Sequence, residues 1–185
     1  MKPKALLNAL PVVAIVVVGC LVWQRSQSSQ AASSKVISAP TTHHQVARVS
    51  DGDTIVLENG DKVRFCGIDA LESSQKLGSE STANLKRLID MAEGKVIVAE
   101  HERDRYGRIV GEVFAPVPNS QEEKLLNYEQ VRAGFAYEYK QYSGKCMNGF
   151  VLGDGEKLAR SERRGVWKNG GNQRPWDYRR QQRGE

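Results

Sequence analysis

Four acidic side chains in the first half of the chain could share one site: Asp51, Asp53, Asp69 and Glu72. The first two flank Gly52 in a tight turn, where glycine supplies backbone freedom, and the other two follow an apolar run. Carboxylates at strand ends can converge across the mouth of a barrel, and hard cations such as Ca²⁺ need several oxygen ligands. Asp-Gly turns with solvated acids are common, so the acids alone do not establish a metal site.

Two arginines change this interpretation. Arg64 lies inside an apolar run, between Val63 and Phe65, and Arg108 closes a turn that begins at Asp104. The planar guanidinium group binds two oxygens at once and therefore suits phosphate. A site that cleaves phosphodiester bonds can be built from acids that hold a cation beside arginines that hold a phosphate. The combination of residues therefore predicts such a site.

The elements that would position these residues follow from the apolar pattern. An Asn-Gly turn at 59–60 between two apolar runs indicates a hairpin. The predicted strands cover residues 46–49, 54–57 and 62–67, the alternating valines at 96 and 98, and residues 109–113. Helical spacing predicts helices over residues 79–91, 125–133 and 154–164, of which the last two end at a glycine. Two clusters of strands with helices between them favour an α+β fold, a small β-barrel with helices packed on it.

Composition indicates one soluble domain with appendages and is compatible with a polyanionic partner. The chain has 185 residues, a formal net charge of +5 and a pI of about 9.2. Hydrophobic residues make up 39% and charged residues 26%, enough for a single packed core. Lysine and arginine neutralise phosphates, so the basic balance is compatible with a nucleic acid.

Several motifs occur together in a characteristic order. They are Asp-Gly-Asp-Thr at 51–54, Arg-Phe-Cys-Gly-Ile-Asp-Ala-Leu-Glu at 64–72 and Asp-Arg-Tyr-Gly-Arg at 104–108, with later segments at 133–136, 164–167 and 175–179. In order and spacing this set resembles the staphylococcal nuclease (thermonuclease) family, and the resemblance runs from residue 46 to residue 179. It implies a five-stranded OB-fold barrel with about three packed helices, a common platform for single-stranded nucleic acid.

The resemblance also implies an activity and a cation site. The family consists of calcium-dependent nucleases that hydrolyse phosphodiester bonds of DNA and RNA with little sequence preference and leave 3′-phosphates. Asp53 and Asp69 match the carboxylates that bind Ca²⁺, and the backbone carbonyl of Ala70 matches a further ligand. Asp51 matches a supporting acid. We expect single-stranded DNA and RNA to be the favoured substrates.

The catalytic residues are carried over in the same way. Glu72 matches the proposed general base, which would activate the attacking water, and Arg64 and Arg108 match the phosphate-binding arginines. Where the family usually has proline, this chain has Leu71. Because proline restricts the backbone, we expect Leu71 to loosen the loop that carries Glu72.

Three tyrosines, Tyr106, Tyr137 and Tyr139, fall near positions where the family contacts nucleotide, so we interpret them as substrate-binding residues. Ordinary packing in the barrel is the alternative for each of them. For Tyr139 the two interpretations have equal support.

The N-terminal segment predicts export. Lys2 and Lys4 precede an uncharged apolar stretch at 5–23, which is just long enough to span a bilayer. We favour an uncleaved signal anchor, with a signal peptide cleaved near Ala31 and a lipoprotein modified at Cys20 as alternatives. The lysines favour an inside N-terminus, so the rest of the chain would lie in the periplasm or at the cell surface, or be secreted after cleavage.

The predicted organisation has four parts. Residues 1–24 form the membrane segment, and residues 25–44 form a flexible linker rich in Ser, Gln and Ala. Residues 45–170 form the nuclease domain, and residues 171–185 form a mobile basic tail. We expect the protein to be a monomer.

Two cysteines, Cys66 and Cys146, belong to the part that is expected to fold. An even pair in an exported domain can form a disulfide, so we predict that they pair. The alternative is a buried free thiol at Cys66 and an unrelated Cys146.

Two rival functions would use these residues differently. A non-catalytic nucleic-acid-binding OB-fold module at the cell envelope should lack Glu72 or one of the arginines, and all of them are present. An envelope protein that binds Ca²⁺ for structural reasons has no need of Arg64 and Arg108. The residues therefore favour the nuclease.

Overall fold

Eight strands and five α-helices make up residues 41–185, the part of the chain that the structure, a computed structural model, describes. The strands are β1 Thr41–Asp51, β2 Thr54–Leu57, β3 Lys62–Phe65, β4 Ile68–Ala70, β5 Lys95–Arg103, β6 Ile109–Pro116, β7 Glu123–Leu125 and β8 Ala136–Glu138. The helices are α1 Gly78–Met91, α2 Leu126–Arg132, α3 Lys140–Ser143, α4 Leu152–Ser161 and α5 Pro175–Gln182, with 3₁₀-helices at Gly149–Val151 and Gly165–Asn169. The predicted α+β class is confirmed, although the described residues form more strands and helices than were expected.

Six of the strands form one mixed sheet in the order β3-β2-β1-β5-β6-β7, and β4 pairs with β8 in a second sheet. Neighbours in the six-stranded sheet are antiparallel. Strand β3 also pairs in parallel with β6, where Val63 lies opposite Ile109. Because of this pairing the sheet curves back on itself, in keeping with the normal twist of its strands. Strand β3 therefore lies between β2 and β6.

The main apolar core lies between the coiled sheet and helices α1 and α2. Ile55, Val63 and Val113 from the strands are fully buried in it, and α1 contributes Leu85 and Leu88. Burial of each such side chain stabilises the fold by roughly 1.5–3 kcal/mol. A smaller second core beside β4 and β8 holds Leu71, Tyr137 and Val166, with Leu77, Trp167 and Trp176 packed against them.

Two predicted boundaries are corrected by the structure. Strand β1 begins at Thr41, which lies opposite Ala99 of β5, so the last four residues of the predicted linker belong to the sheet. The predicted mobile tail contains helix α5, whose Trp176 packs in the second core. Both errors have one cause, because polar segments of this kind become ordered through contacts with residues far away in the chain.

The predicted membrane segment and most of the predicted linker lie outside the described residues. From residue 41 to residue 185, no helix combines the length and the apolar character that crossing a membrane requires. Cys66 and Cys146 are joined in a disulfide, with their Cα atoms 6.0 Å apart.

Candidate active site

A pocket of about 620 Å³ gathers nearly all the predicted site residues. Those that line it are Asp51, Asp53, Arg64, Asp69, Ala70, Glu72, Tyr106, Arg108 and Tyr139. Tyr137 is the exception, because its ring is fully buried in the second core and its hydroxyl donates to the carbonyl oxygen of Asn172 (3.0 Å). The structure therefore places Tyr137 in the packing of the second core and not at the pocket.

The turn between β1 and β2 places Asp53 at the pocket. Asp51 Oδ1 accepts a hydrogen bond from the amide of Asp53 (3.0 Å) and so stabilises the turn. Gly52 is needed for space, because a Cβ there would lie 1.9 Å from Ser81 Oγ and 2.7 Å from Ala70 Cβ. Asp53 Oδ2 accepts a hydrogen bond from the amide of Ala70 (2.6 Å), which ties the turn to β4.

Asp53 and Asp69 are buried, with 5% and 0% of their surface exposed, and Arg64 of β3 lies between them. The Arg64 Nη1 atom is 3.0 Å from Asp53 Oδ2, and Nη2 is 3.0 Å from Asp69 Oδ1. Burial raises the pKa of Asp53 to about 7, against the charge of Arg64. Burial also raises the pKa of Asp69, against the hydrogen bonds from Arg179. Desolvated acids of like charge depend on nearby positive charge to stay ionised.

Arg108 reaches the pocket from the turn between β5 and β6. Its Nε donates to Asp104 Oδ2 (2.7 Å), and Asp104 Oδ1 accepts from the amides of Tyr106 (2.9 Å) and Arg108 (3.0 Å). These bonds hold the turn in place, and the Nη groups of Arg108 make no hydrogen bond to any part of residues 41–185. Tyr106 beside it is 69% exposed, which suits stacking on a base.

Glu72 lies on the loop that follows β4 and is paired with an arginine that sequence alone did not identify. Arg179 of helix α5 also lines the pocket, and its Nη1 atom donates to Glu72 Oε1 (2.6 Å). The same guanidinium binds both carboxylate oxygens of Asp69. Pro175 at the first helical position is a helix-start signal, but no local signal shows where α5 packs.

Comparison with known proteins identifies the family. The family pattern described as staphylococcal nuclease homologue matches residues 62–169, more than half of the chain. An uncharacterized endonuclease of Escherichia coli is 39% identical over 140 residues, which cover 74% of this chain and 84% of that protein. This chain belongs to the staphylococcal nuclease family.

Further relatives agree with this assignment. A micrococcal nuclease of Shigella flexneri is 41% identical over 142 residues, 74% of this chain and 79% of that protein. A probable staphylococcal-like nuclease, CAN2, of Oryza sativa subsp. japonica is 30% identical over 160 residues, 86% of this chain and 40% of that protein. The chain is a nuclease, and its substrate is nucleic acid.

The staphylococcal nuclease family uses a metal ion, and the donors at the pocket fit a hard cation. Within residues 41–185, three contacts are made to the carboxylate of Asp53 and three to that of Asp69. A carboxylate offers about four lone-pair positions, so each acid keeps about one for a cation. Among residues 41–185, no group of three or more His, Cys, Asp or Glu side chains is arranged so that it could hold a metal ion. Backbone carbonyl, water and substrate oxygens would complete the coordination.

Proposed function

We propose that this nuclease is calcium-dependent, that it hydrolyses both DNA and RNA with little sequence preference, and that it leaves 3′-phosphates. The observation that carries the proposal is the pair of buried acids, Asp53 and Asp69, bridged by Arg64 in a pocket that also contains Arg108 and Glu72. Buried oxygen donors suit a hard cation, and adjacent guanidinium groups suit a phosphate. A non-catalytic module would have no use for this combination.

In the proposed mechanism, Arg64 and Arg108 bind the scissile phosphate and stabilise the negative charge that develops on its oxygens. Glu72, directly or through one water molecule, accepts a proton from the attacking water and orients it. Asp53, Asp69 and the carbonyl of Ala70 would hold the cation, which would supply Lewis-acid charge for the phosphate when bound. The attacking water oxygen forms the new bond to phosphorus while the bond from phosphorus to the 5′ oxygen breaks; the 5′ oxygen leaves as a hydroxyl with a proton from solvent, and the phosphate stays on the 3′ side.

The architecture and setting of the domain are part of the proposal. Strands β1, β2, β3, β5 and β6 act as the five-stranded OB-type barrel, and the β3–β6 pairing supports this. The protein is a monomer that favours single strands. Residues 1–24 attach it to the membrane with the nuclease domain outside the cytoplasm, and the disulfide between Cys66 and Cys146 supports export because disulfides persist in oxidising compartments.

Digestion of denatured DNA and of RNA by the full chain tests the proposal, in parallel with Ca²⁺, with Mg²⁺ and with EDTA. We expect cleavage of both substrates with Ca²⁺, no cleavage in EDTA, and 3′-phosphate ends when the products are analysed by mass spectrometry. Full activity in EDTA, or faster cleavage with Mg²⁺ than with Ca²⁺, would contradict calcium dependence. Products that end in a 3′-hydroxyl would contradict the proposed bond breakage.

A further inference from the structure

The C-terminal segment at residues 172–179 packs against the loop that carries Glu72 and is hydrogen-bonded to it at several points. The bonds run from Asn172 Nδ2 to the Lys76 carbonyl oxygen (3.1 Å), from Gln75 Nε2 to the Gln173 carbonyl oxygen (3.1 Å) and from the Tyr178 hydroxyl to Ser74 Oγ (2.9 Å). The loop between β4 and α1 is therefore held by the far end of the chain.

Helix α5 is fixed in place by packing as well as by these bonds. The ring of Trp176 stacks on Tyr139 with a centroid distance of 4.9 Å and an interplanar angle of 6°, and it meets Tyr137 edge-on at 6.3 Å. Leu71, which is 1% exposed, belongs to the same cluster. Aromatic pairs of this kind add roughly 0.5–1.5 kcal/mol beyond the burial of their area, so the position of α5 does not depend on Arg179 alone.

Arg179 extends from α5 into the pocket and joins two acids that would otherwise repel each other. Its Nη1 donates to Glu72 Oε1 (2.6 Å) and to Asp69 Oδ1 (3.1 Å), and its Nη2 donates to Asp69 Oδ2 (2.8 Å). Because the guanidinium fork is planar, these bonds restrict both carboxylates to one orientation. The next residue, Arg180, pairs with Asp177 on the same helix, and its side chain is 60% exposed.

We propose that Arg179 is a positioning residue of the nuclease reaction, which makes helix α5 part of the active site. Arg179 holds the Glu72 carboxylate at the pocket and offsets the charge of Asp69. The proposal rests on the role proposed above for Glu72 as the general base. At the position where the family usually has proline, burial of Leu71 and the bonds from the C-terminal segment hold the loop in place.

Three single variants of the full chain test this proposal. Arg179→Gln removes the charge and the fork, and Arg179→Lys keeps the charge without the fork. Arg180→Gln is the matched control, because it makes the same change in net charge on the same helix but outside the pocket. The measurements are kcat and KM on denatured DNA with Ca²⁺, and hydrogen exchange of the amides at residues 72–77 in EDTA.

We expect Arg179→Gln to lower kcat by about 10- to 100-fold, the usual effect of removing a group that orients a catalytic residue. KM should stay within about 2-fold, because Arg179 is not assigned a substrate contact. Amides at residues 72–77 should exchange faster, since the loop loses one of its attachments. Arg179→Lys should recover part of kcat, and Arg180→Gln should match the wild type in kcat and in exchange.

Wild-type kcat and wild-type exchange in Arg179→Gln would overturn the proposal. A higher kcat in Arg179→Gln would also overturn it, because Arg179 would then be an inhibitory contact. Equal losses of kcat in Arg179→Gln and Arg180→Gln would overturn it as well. If Arg179→Gln does not fold, as judged by thermal unfolding, the same measurements on Arg179→Lys decide. A wild-type chain that is inactive with every divalent cation would refute the proposed function instead, and the exchange data would then decide the positioning role alone.

Discussion

At the scale of single residues, the pocket places buried acids against arginines. Burial raises the pKa of Asp53 to about 7 although the positive charge of Arg64 lies beside it and lowers it, so a proton competes for this carboxylate near neutral pH. Arg64 supplies positive charge to both Asp53 and Asp69. A divalent cation would supply more, and the carboxylates would then remain ionised at the pH at which the enzyme works.

Replacing the acids should separate cation binding from proton transfer. Asp53→Ala removes one of the two proposed carboxylate ligands of the cation, so we expect lower Ca²⁺ affinity by titration calorimetry and partial recovery of activity at high Ca²⁺. Glu72→Gln should lower kcat by about 10²–10⁴-fold without such recovery, because the proposed general base is lost. Asp90→Ala, which alters an exposed acid paired with Lys86 on α1, is the control. Near-normal kcat for Glu72→Gln at saturating Ca²⁺ would exclude Glu72 as the base.

The two arginines should differ in their effect on stability. Arg64→Ala and Arg108→Ala each remove a proposed donor to the developing charge, so kcat should fall by about 10²–10³-fold in both. Arg64→Ala also leaves two buried acids with less compensation, and its Tm should fall. Arg108 lies on a partly exposed turn, where the loss of its ion pair with Asp104 costs little, so the Tm of its variant should fall less than that of Arg64→Ala. Arg48→Ala, on β1, is the control for both measurements, and equal kcat for Arg48→Ala and Arg108→Ala would contradict the assignment of Arg108.

At the scale of secondary-structure elements, Glu156 of α4 connects β8 with the segment that leads into α5. Its carboxylate accepts hydrogen bonds from Arg160 (2.7 Å), from Arg174 (3.2 Å) and from the amide of Glu138 (3.0 Å). Burial raises the pKa of Glu156, but the hydrogen bonds from Arg174 and Arg160 outweigh it, and the pKa lies below its ordinary value of 4.5. The ionised carboxylate therefore stabilises the contact between these elements.

This contact predicts a pH-dependent stability. Glu156→Gln should lower the free energy of unfolding at pH 7 by about 1–3 kcal/mol, because charged hydrogen bonds are lost. Since folding lowers this pKa, the stabilisation is present above the unfolded-state pKa and is lost as pH falls through the folded-state pKa. Urea unfolding at several pH values should therefore show a difference between wild type and variant that shrinks in acid.

The control for this prediction is Asp154→Asn, an exposed acid of the same helix that pairs with Lys157. Exposed ion pairs contribute little to stability, so this variant should resemble the wild type throughout the pH series. A difference between Glu156→Gln and the wild type that stays constant from pH 7 into acid would contradict the role given to the charge of Glu156.

At the scale of the whole molecule, the disulfide connects segments that are distant in the chain. Cys66 and Cys146 are separated by 80 residues, and their bond ties the end of β3 to the segment that follows α3. Replacing both cysteines by serine should lower the free energy of unfolding by about 2–5 kcal/mol, measured by urea unfolding. Peptide mapping without reductant should recover the linked pair, and free thiols at both positions would contradict the bond.

The position of β1 predicts where the chain can be shortened. Removing residues 1–35 leaves all of β1, so we expect a soluble domain with full activity and an unchanged Tm. Removing residues 1–44 deletes the part of β1 that lies opposite β5 from Ala99 to Val96, so Tm should fall. Thermal unfolding of the two shortened chains checks this, and an insoluble or unfolded chain after removal of residues 1–35 would contradict the prediction.

The sequence by itself determined the α+β class and the residue types of the site. Asp53, Asp69, Arg64 and Arg108, which the structure brings to one pocket, could be named in advance because each lies in a short motif that resembles the staphylococcal nuclease family. The hairpin between β2 and β3 and the apolar face of α1 could be predicted for the same reason, since their signals lie within a few residues of the element that they specify.

Tertiary structure decided which residues meet across the chain. Arg179 is 110 positions from Asp69 and 107 from Glu72, and no local pattern can report such a contact. The same is true of Tyr137, whose burial depends on Trp167 and Trp176, and of Gly52, which is required because Ser81 of α1 lies against it. Local spacing specifies which side chains are available, whereas packing between distant segments determines which of them share a site.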